Sequence, residues 1–170
     1  MGKYMKSVVV LMFLVLSAFA QNEPWATVME GCGPKDKTFD VKLDRSKHAL
    51  AQPDSGKALV YFIQDFGEIA CIGKCGTTRI GLDGDWVGVI QHNSYFSAAV
   101  DAGEHHVCAY MGGQRLAFAH LTAEAGKVYY FRTRDFTRIN QGVFDLDALD
   151  EDEAKYLIYI YPLAVSHPKP

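Results

Sequence analysis

The chain has 170 residues, of which 49% are hydrophobic, and a formal net charge of −3. This length is that of one ordinary domain, so we expect one domain and not two. A mildly acidic chain is a poor partner for nucleic acid or for an anionic membrane surface, and we expect no nucleic-acid partner.

The first twenty residues predict a secretory signal peptide. Lys3 and Lys6 precede an uncharged apolar run at 8–16, and residues 18–20 read Ala-Phe-Ala. A basic segment, a short apolar segment and a small-x-small cleavage site, in this order, are typical of export signals. The run is too short for a membrane span, which needs about 20 residues. We expect an exported protein, periplasmic or extracellular, with no membrane span after cleavage.

Cleavage after residue 20 removes Lys3 and Lys6. This leaves 15 basic against 20 acidic residues, a net charge of about −5. Four cysteines remain in the mature chain: Cys32, Cys71, Cys75 and Cys108. An even number in an exported chain predicts two disulfides, and three pairings are open.

We expect one disulfide to tie the segment around Cys32 to the domain. Three residues separate Cys71 from Cys75, whereas a thioredoxin-type redox motif has two, so we do not expect redox catalysis. Free, buried thiols remain the alternative if the chain is not exported.

The mature chain begins with an irregular N-terminal arm at 21–56, in which Pro and Gly are scattered among polar residues and one short strand is expected near 39–43. A β-branched and aromatic run at 58–63 then predicts a core strand. Residues 66–76 hold three glycines and the close cysteine pair, so we expect a pinned loop there.

Turn signals then recur at roughly 8 to 12 residues, a rhythm typical of a β-sandwich or barrel. Asp83-Gly84 favours a tight hairpin, because both residues adopt positive φ readily. Alternation places Phe96 and Val100 on one face of their strand. Strands do not alternate with helices, which argues against a parallel α/β sheet. We predict an all-β fold, an antiparallel β-sandwich of about 7–8 strands.

One short C-terminal helix is expected after Asp150, which can cap it. The acidic residues 151–153 suit the positive end of a helix dipole, and Pro162 ends the helix. The sandwich domain with its helix then covers 57–161, and 162–170 form a loosely held tail.

Histidines form the main candidate site, with His105 and His106 adjacent and His120 on a later strand. Neighbouring residues of a strand point to opposite faces, so His105 and His106 cannot bind one ion together. One of them could still pair with His120, but we assign no metal and no cofactor. The acidic run 145–150 is not a calcium loop, because Asp150 stands where that loop needs glycine.

No Gly-x-Ser-x-Gly elbow and no glycine-rich phosphate loop occur, and we assign no catalytic residue. Most strand aromatics are expected in the core, while Trp86, just after the Asp-Gly turn, is the first candidate for partial exposure and binding. We expect a non-enzymatic binding or structural module whose partner is an envelope protein or a glycan. The alternative is a small hydrolase, with or without a metal, that uses His105 or His106, His120 and nearby carboxylates.

Three segments resemble a bacterial family known as domain of unknown function 2846. They are Gly-Lys-Ala-Leu-Val-Tyr at 56–61, the turn-rich stretch at 80–106, and Ala-Glu-Ala-Gly-Lys-Val-Tyr-Tyr-Phe at 123–131. The resemblance spans roughly 56–135 and rests on turns with their flanking strands. It implies an exported, often envelope-associated domain with no assigned activity and no catalytic residues to carry over. The Cys71–Cys75 loop and the arm through Cys32 are not part of the pattern.

Overall fold

The computed structural model describes residues 31–46, 50–66, 76–112, 115–138 and 141–169. For 136–138 and 141–143 it describes the backbone alone. The predicted signal peptide, Cys71 and Cys75 lie outside the described residues. The described elements, in chain order, are β1 (Phe39–Asp44), β2 (Lys57–Gln64), β3 (Thr77–Leu82), β4 (Asp85–Gln91), β5 (Ser94–Asp101), β6 (Gly103–Tyr110), β7 (Leu116–Ala123), β8 (Val128–Arg138), β9 (Gln141–Ala148), α1 (Glu151–Ile160) and β10 (Leu163–Pro168).

The strands form two sheets packed face to face. One sheet has six strands in the order β1-β10-β5-β2-β8-β9, and the other has four in the order β4-β3-β6-β7. The predicted all-β sandwich is confirmed. Two pairings depart from a wholly antiparallel arrangement: β2 runs parallel to β8, and β10 meets β5 in parallel at Leu163 and Tyr95.

Strand β2 is the centre of the six-stranded sheet and is buried on both faces. Val60 and Phe62 point into the core between the sheets, while Leu59, Tyr61 and Ile63 point to the opposite face. A strand covered on both faces has no need of polar residues at alternate positions, which explains the unbroken apolar run at 58–63.

The helix covers the outer face of the six-stranded sheet. Asp150 caps it, since its carboxylate accepts hydrogen bonds from the backbone N–H of Asp152 at 2.9 Å and of Glu153 at 3.4 Å. Leu157 and Ile158 are buried against the tyrosines of β2, β5 and β8. The predicted cap and helix are confirmed. No helix in the described part of the chain is long and apolar enough to cross a membrane.

Two strands were not expected from the sequence. Residues 163–168, predicted to be a loosely held tail, form β10, which pairs with the whole of β1 and lies between β1 and β5. That prediction is wrong because the backbone groups of this segment pair with β1 and extend the sheet. The segment is short and has a proline at each end, so its sequence gives little sign of a strand. β9 alternates buried Phe144 and Leu146 with half-buried Asp145 and Asp147. Both strands bring the described total to ten, above the predicted 7–8.

Candidate binding groove on the four-stranded sheet

Residues 31–38, which precede β1, lie across the outer face of the four-stranded sheet. Cys32 is bonded to Cys108 of β6, with 5.5 Å between the Cα atoms. Gly81 of β3 permits this close approach, because a Cβ at that position would lie 2.2 Å from the carbonyl oxygen of Cys32. The predicted tie between the Cys32 segment and the domain is confirmed, and its partner is Cys108.

Trp86 lies under this N-terminal segment. Its indole is 3% exposed, and its Nε1–H donates to the carbonyl oxygen of Pro34 at 2.8 Å. Gly33 packs directly on the ring, since a Cβ there would lie 2.7 Å from it. The predicted partial exposure of Trp86 is wrong, because the arm and its disulfide cover this end of β4. The indole is a structural contact of the arm.

A groove of about 590 Å³ lies beside the arm on the same face. Phe118 of β7 stands in it with 52% of its surface exposed, the most exposed phenylalanine among the described side chains. The groove is lined by Gly31, Asp83, Gly84, His106, Val107, Cys108, Phe118, Ala119 and His120. The arm therefore covers one part of this face and leaves the part over β6 and β7 open.

His106 and His120 meet in this groove. They are direct partners in the antiparallel β6–β7 ladder, and their rings lie edge to face with centroids 4.6 Å apart. Both side chains are exposed. Together they offer two imidazoles to an ion, and no cluster of three or more His, Cys, Asp or Glu side chains able to hold a metal occurs among the described residues.

His105 points to the other side of β6, as strand geometry predicts for a neighbour of His106. Its Nδ1 lies 2.6 Å from Oδ2 of Asp83, and its Nε2 lies 2.8 Å from the backbone carbonyl oxygen of Asp101. The hydrogen bond with Asp83 raises the pKa of His105 above 6.5 and outweighs burial, which lowers it. Both ring nitrogens of His105 are thus engaged.

Asp83 links His105 to the groove from the β3–β4 turn. Its Oδ2 faces His105, and its Oδ1 accepts a hydrogen bond from the backbone N–H of His106 at 2.8 Å. Burial acts to raise the pKa of Asp83, but the hydrogen bonds from His105 and His106 prevail and the pKa falls below 3.8. Asp83 and Gly84 have φ of +51° and +88°, as the predicted Asp-Gly hairpin requires.

The comparison with protein families identifies the domain. Residues 54–145, more than half of the chain, match the family described as Protein of unknown function (DUF2846). This chain belongs to the DUF2846 family. The resemblance inferred from the turn-rich segments is therefore confirmed. Comparisons with curated proteins and with solved structures found no match.

The DUF2846 match runs from just before β2 into β9 and so contains the strand residues of the groove. The Cys32 segment, α1 and β10 lie outside it. The groove is thus built mainly from the family domain, whereas one of its walls, at Gly31, belongs to the arm of this chain.

In this DUF2846 protein, the hydrogen bonds that His105 and Asp83 already make leave them poorly placed for acid–base chemistry. His105 has no free ring nitrogen to serve as a general base, because both face oxygen atoms. Both carboxylate oxygens of Asp83 are also engaged. Among the described residues that line the groove, none carries a hydroxyl, and the sulfur of Cys108 is oxidised in the disulfide. On this face, β6 and β7 present the Phe118 ring and the imidazoles of His106 and His120.

Sequence reasoning did not single out Phe118, which it counted among the strand aromatics that were mostly expected in the core. The alternation of β7 holds the signal: Ala117 and Leu121 are buried, whereas Phe118 and His120 share the opposite, exposed face. In a strand whose outer face meets only water, that face is usually polar throughout. Here the outer face carries a phenylalanine, and this apolar side chain at an outward position is the signal. The reverse error was made at Trp86, because the arm that covers it has no periodic pattern.

Proposed function

We propose that this DUF2846 protein is an exported, non-enzymatic binding module whose groove takes an apolar side chain of a partner protein. The observation that carries the proposal is Phe118, half exposed in a groove of about 590 Å³. Exposed apolar side chains gathered in a concavity are characteristic of binding sites. Cys108, the partner of Phe118 across the β6–β7 ladder, also lines the groove.

A protein partner fits the groove better than a glycan does. The side-chain polar groups in the groove are the imidazoles of His106 and His120 and the carboxylate of Asp83, which is already bonded to two donors. A sugar carries hydroxyl groups around its ring, and each one removed from water without a partner costs free energy. An aliphatic or aromatic side chain of a protein needs few such partners.

The groove is also held in a fixed shape. Its floor is the β6–β7 ladder, paired over eight positions from Gly103↔Ala123 to Tyr110↔Leu116. Its wall beside the arm is fixed by the Cys32–Cys108 disulfide. A rigid site loses little conformational entropy on binding, which favours affinity.

Photo-crosslinking tests this function. A benzophenone amino acid replaces Phe118 in the protein expressed in the organism that produces it. In a matched control it replaces Tyr159. Tyr159 is 69% exposed and lies on α1, over the opposite sheet. We expect one recurrent protein adduct from position 118 that is absent from position 159.

The purified partner is then titrated by calorimetry. We expect Phe118→Ala to weaken binding by about tenfold or more, as for a central aromatic contact, and Tyr159→Ala to leave it unchanged. Equal adducts at both positions, adducts with glycan alone, or equal affinity of the two variants would refute the groove as the binding site.

Export is tested separately on the mature protein. If residues 1–20 are a cleaved signal, mass spectrometry of the protein recovered from the periplasm or medium gives an N-terminus at Gln21. Deletion of residues 2–20 should leave the protein in the cytoplasm. An intact Met1 on protein outside the cytoplasm would contradict a cleaved signal.

A further inference from the structure

The imidazole of His105 lies between two hydrogen-bond acceptors. Nδ1 is 2.6 Å from the Asp83 carboxylate and Nε2 is 2.8 Å from the Asp101 carbonyl oxygen. A neutral imidazole has one N–H, whereas an imidazolium has two. Only the protonated ring can donate in both directions, so this arrangement of acceptors favours the charged form.

The surroundings of His105 favour that charge. Asp83 faces it from the β3–β4 turn, and Asp101 faces it from the end of β5, where the Asp101 carboxylate also binds Lys57 of β2 at 2.6 Å. The neighbour across the ladder on β7 is Leu121, which carries no charge. The His105 side chain is 12% exposed, and the Asp83 carboxylate that faces it is 47% exposed.

The other oxygen of Asp83 extends this contact to the groove. Oδ1 of Asp83 accepts the His106 N–H at 2.8 Å, and the Asp83 N–H donates to the His106 carbonyl oxygen at 3.0 Å. Asp83, Gly84 and His106 all line the groove. The Asp83–Gly84 turn is thus tied to β6 by two hydrogen bonds with the backbone of His106 and by one with the ring of His105.

We propose that protonated His105 locks the Asp83–Gly84 turn at the wall of the groove, and that release of the proton loosens the turn and weakens partner binding. Loss of the proton leaves one nitrogen lone pair facing either the Asp83 carboxylate or the Asp101 carbonyl. The inference rests on the proposed function and adds that partner binding is regulated by pH.

The direction of the pH dependence follows from the pKa shifts of His105 and Asp83. The pKa of His105 is raised above 6.5, so its stabilisation of the turn is complete below that pH and is lost as the pH rises through the higher, folded value. The pKa of Asp83 is lowered below 3.8, so its contribution is present above that pH and is lost only as the pH falls through the lower value. The turn is therefore held by both groups at pH values above the pKa of Asp83 and below the pKa of His105.

Amide hydrogen exchange measures the lock without any ligand. Across the His105 titration, followed by NMR of its ring, we expect protection of the His106 amide to fall about fivefold after correction for intrinsic exchange. The Ala109 amide, in the buried part of β6, should not respond. His105→Gln, which cannot titrate, should give a flat profile, and a flat profile in the wild type would overturn the proposal.

Binding is measured with Nile red, an uncharged apolar dye, so that its own charge does not change with pH. We expect its affinity to fall about fivefold as the pH rises through the His105 titration, in the wild type and in His106→Gln/His120→Gln, but not in His105→Gln. The double variant removes the titrating groove imidazoles and leaves His105 in place.

The two readouts separate the two hypotheses. If the His106 amide responds to His105 but Phe118→Ala leaves dye binding unchanged, the groove is not the binding site and the proposed function fails, while the lock stands. If Phe118→Ala abolishes dye binding but the affinity is independent of His105, the coupling is overturned and the binding function stands.

Discussion

The two outer faces of this sandwich are closed in different ways. On the six-stranded sheet, α1 buries Ala154, Leu157 and Ile158 against the tyrosines of the sheet. On the four-stranded sheet, a segment without regular structure is held by the Cys32–Cys108 disulfide and leaves Phe118 exposed. Packing closes the first face by many apolar contacts, whereas one covalent bond secures the second and leaves space beside it. The first face is covered by the helix, and the second keeps an open groove beside the arm.

The largest effect is expected from the disulfide. Cys32→Ser/Cys108→Ser opens a loop with a sequence separation of 76 residues. The chain-entropy relation predicts a loss of about 4.5 kcal/mol in the free energy of unfolding for a loop of this size. Urea unfolding followed by circular dichroism gives the value. A loss close to zero would mean that the arm is held by its packing on Trp86 and not by the covalent bond.

The helix-covered face responds to loss of packing. Leu157→Ala should lower the free energy of unfolding by about 3 kcal/mol, because a 6% exposed side chain is removed from a filled cluster. Tyr156→Ala, one residue away and 63% exposed, should change it by less than about 0.5 kcal/mol. Equal effects of the two variants would contradict the assigned orientation of α1.

A smaller effect is expected where the arm meets the sheet. Gly81→Ala places a methyl group 2.2 Å from the Cys32 carbonyl oxygen, so the arm must shift, at a cost of about 2 kcal/mol. The matched background is Cys32→Ser/Cys108→Ser, in which the arm can move away. There the same substitution should cost clearly less, and an equal cost in both backgrounds would show that the arm does not press on Gly81.

The smallest effect on stability is expected at the open face. Phe118→Ala should change the free energy of unfolding by less than about 0.5 kcal/mol, because half of the ring is already in water. Leu121→Ala on the same strand is the control: its side chain is 5% exposed, and it should cost about 3 kcal/mol. If Phe118→Ala were as costly as Leu121→Ala, the ring would serve the fold and not a partner.

Most of the sandwich could be predicted because its strands carry local signals. Asp83-Gly84 has the backbone preference of a tight hairpin, and the apolar run at 58–63 marks a strand buried on both faces. The helix begins at Asp150 because the cap is a local interaction between neighbours in sequence. Parallel pairing of β2 with β8 leaves no such local trace, because it depends on segments that are far apart in the chain.

The candidate site was only partly predictable for the same reason. Strand alternation correctly separates His105 from His106, and pairing across the ladder brings His106 to His120. The burial of Trp86 depends instead on where the arm lies, and the arm has no periodicity from which to derive its path. The close approach at Gly81 appears only when the disulfide has placed Cys32 above it.

The pairing of β1 with β10 sets the order in which the chain can fold. β1 leaves the ribosome early, and its partner strand is the last one of the described chain. β10 in turn needs a completed β5, which it meets at Leu163 and Tyr95. Contacts between distant segments form slowly, so this edge of the sheet closes last. A chain cut short before Leu163 would leave β1 and β5 with unpaired backbone groups, and these would pair with other molecules and cause aggregation.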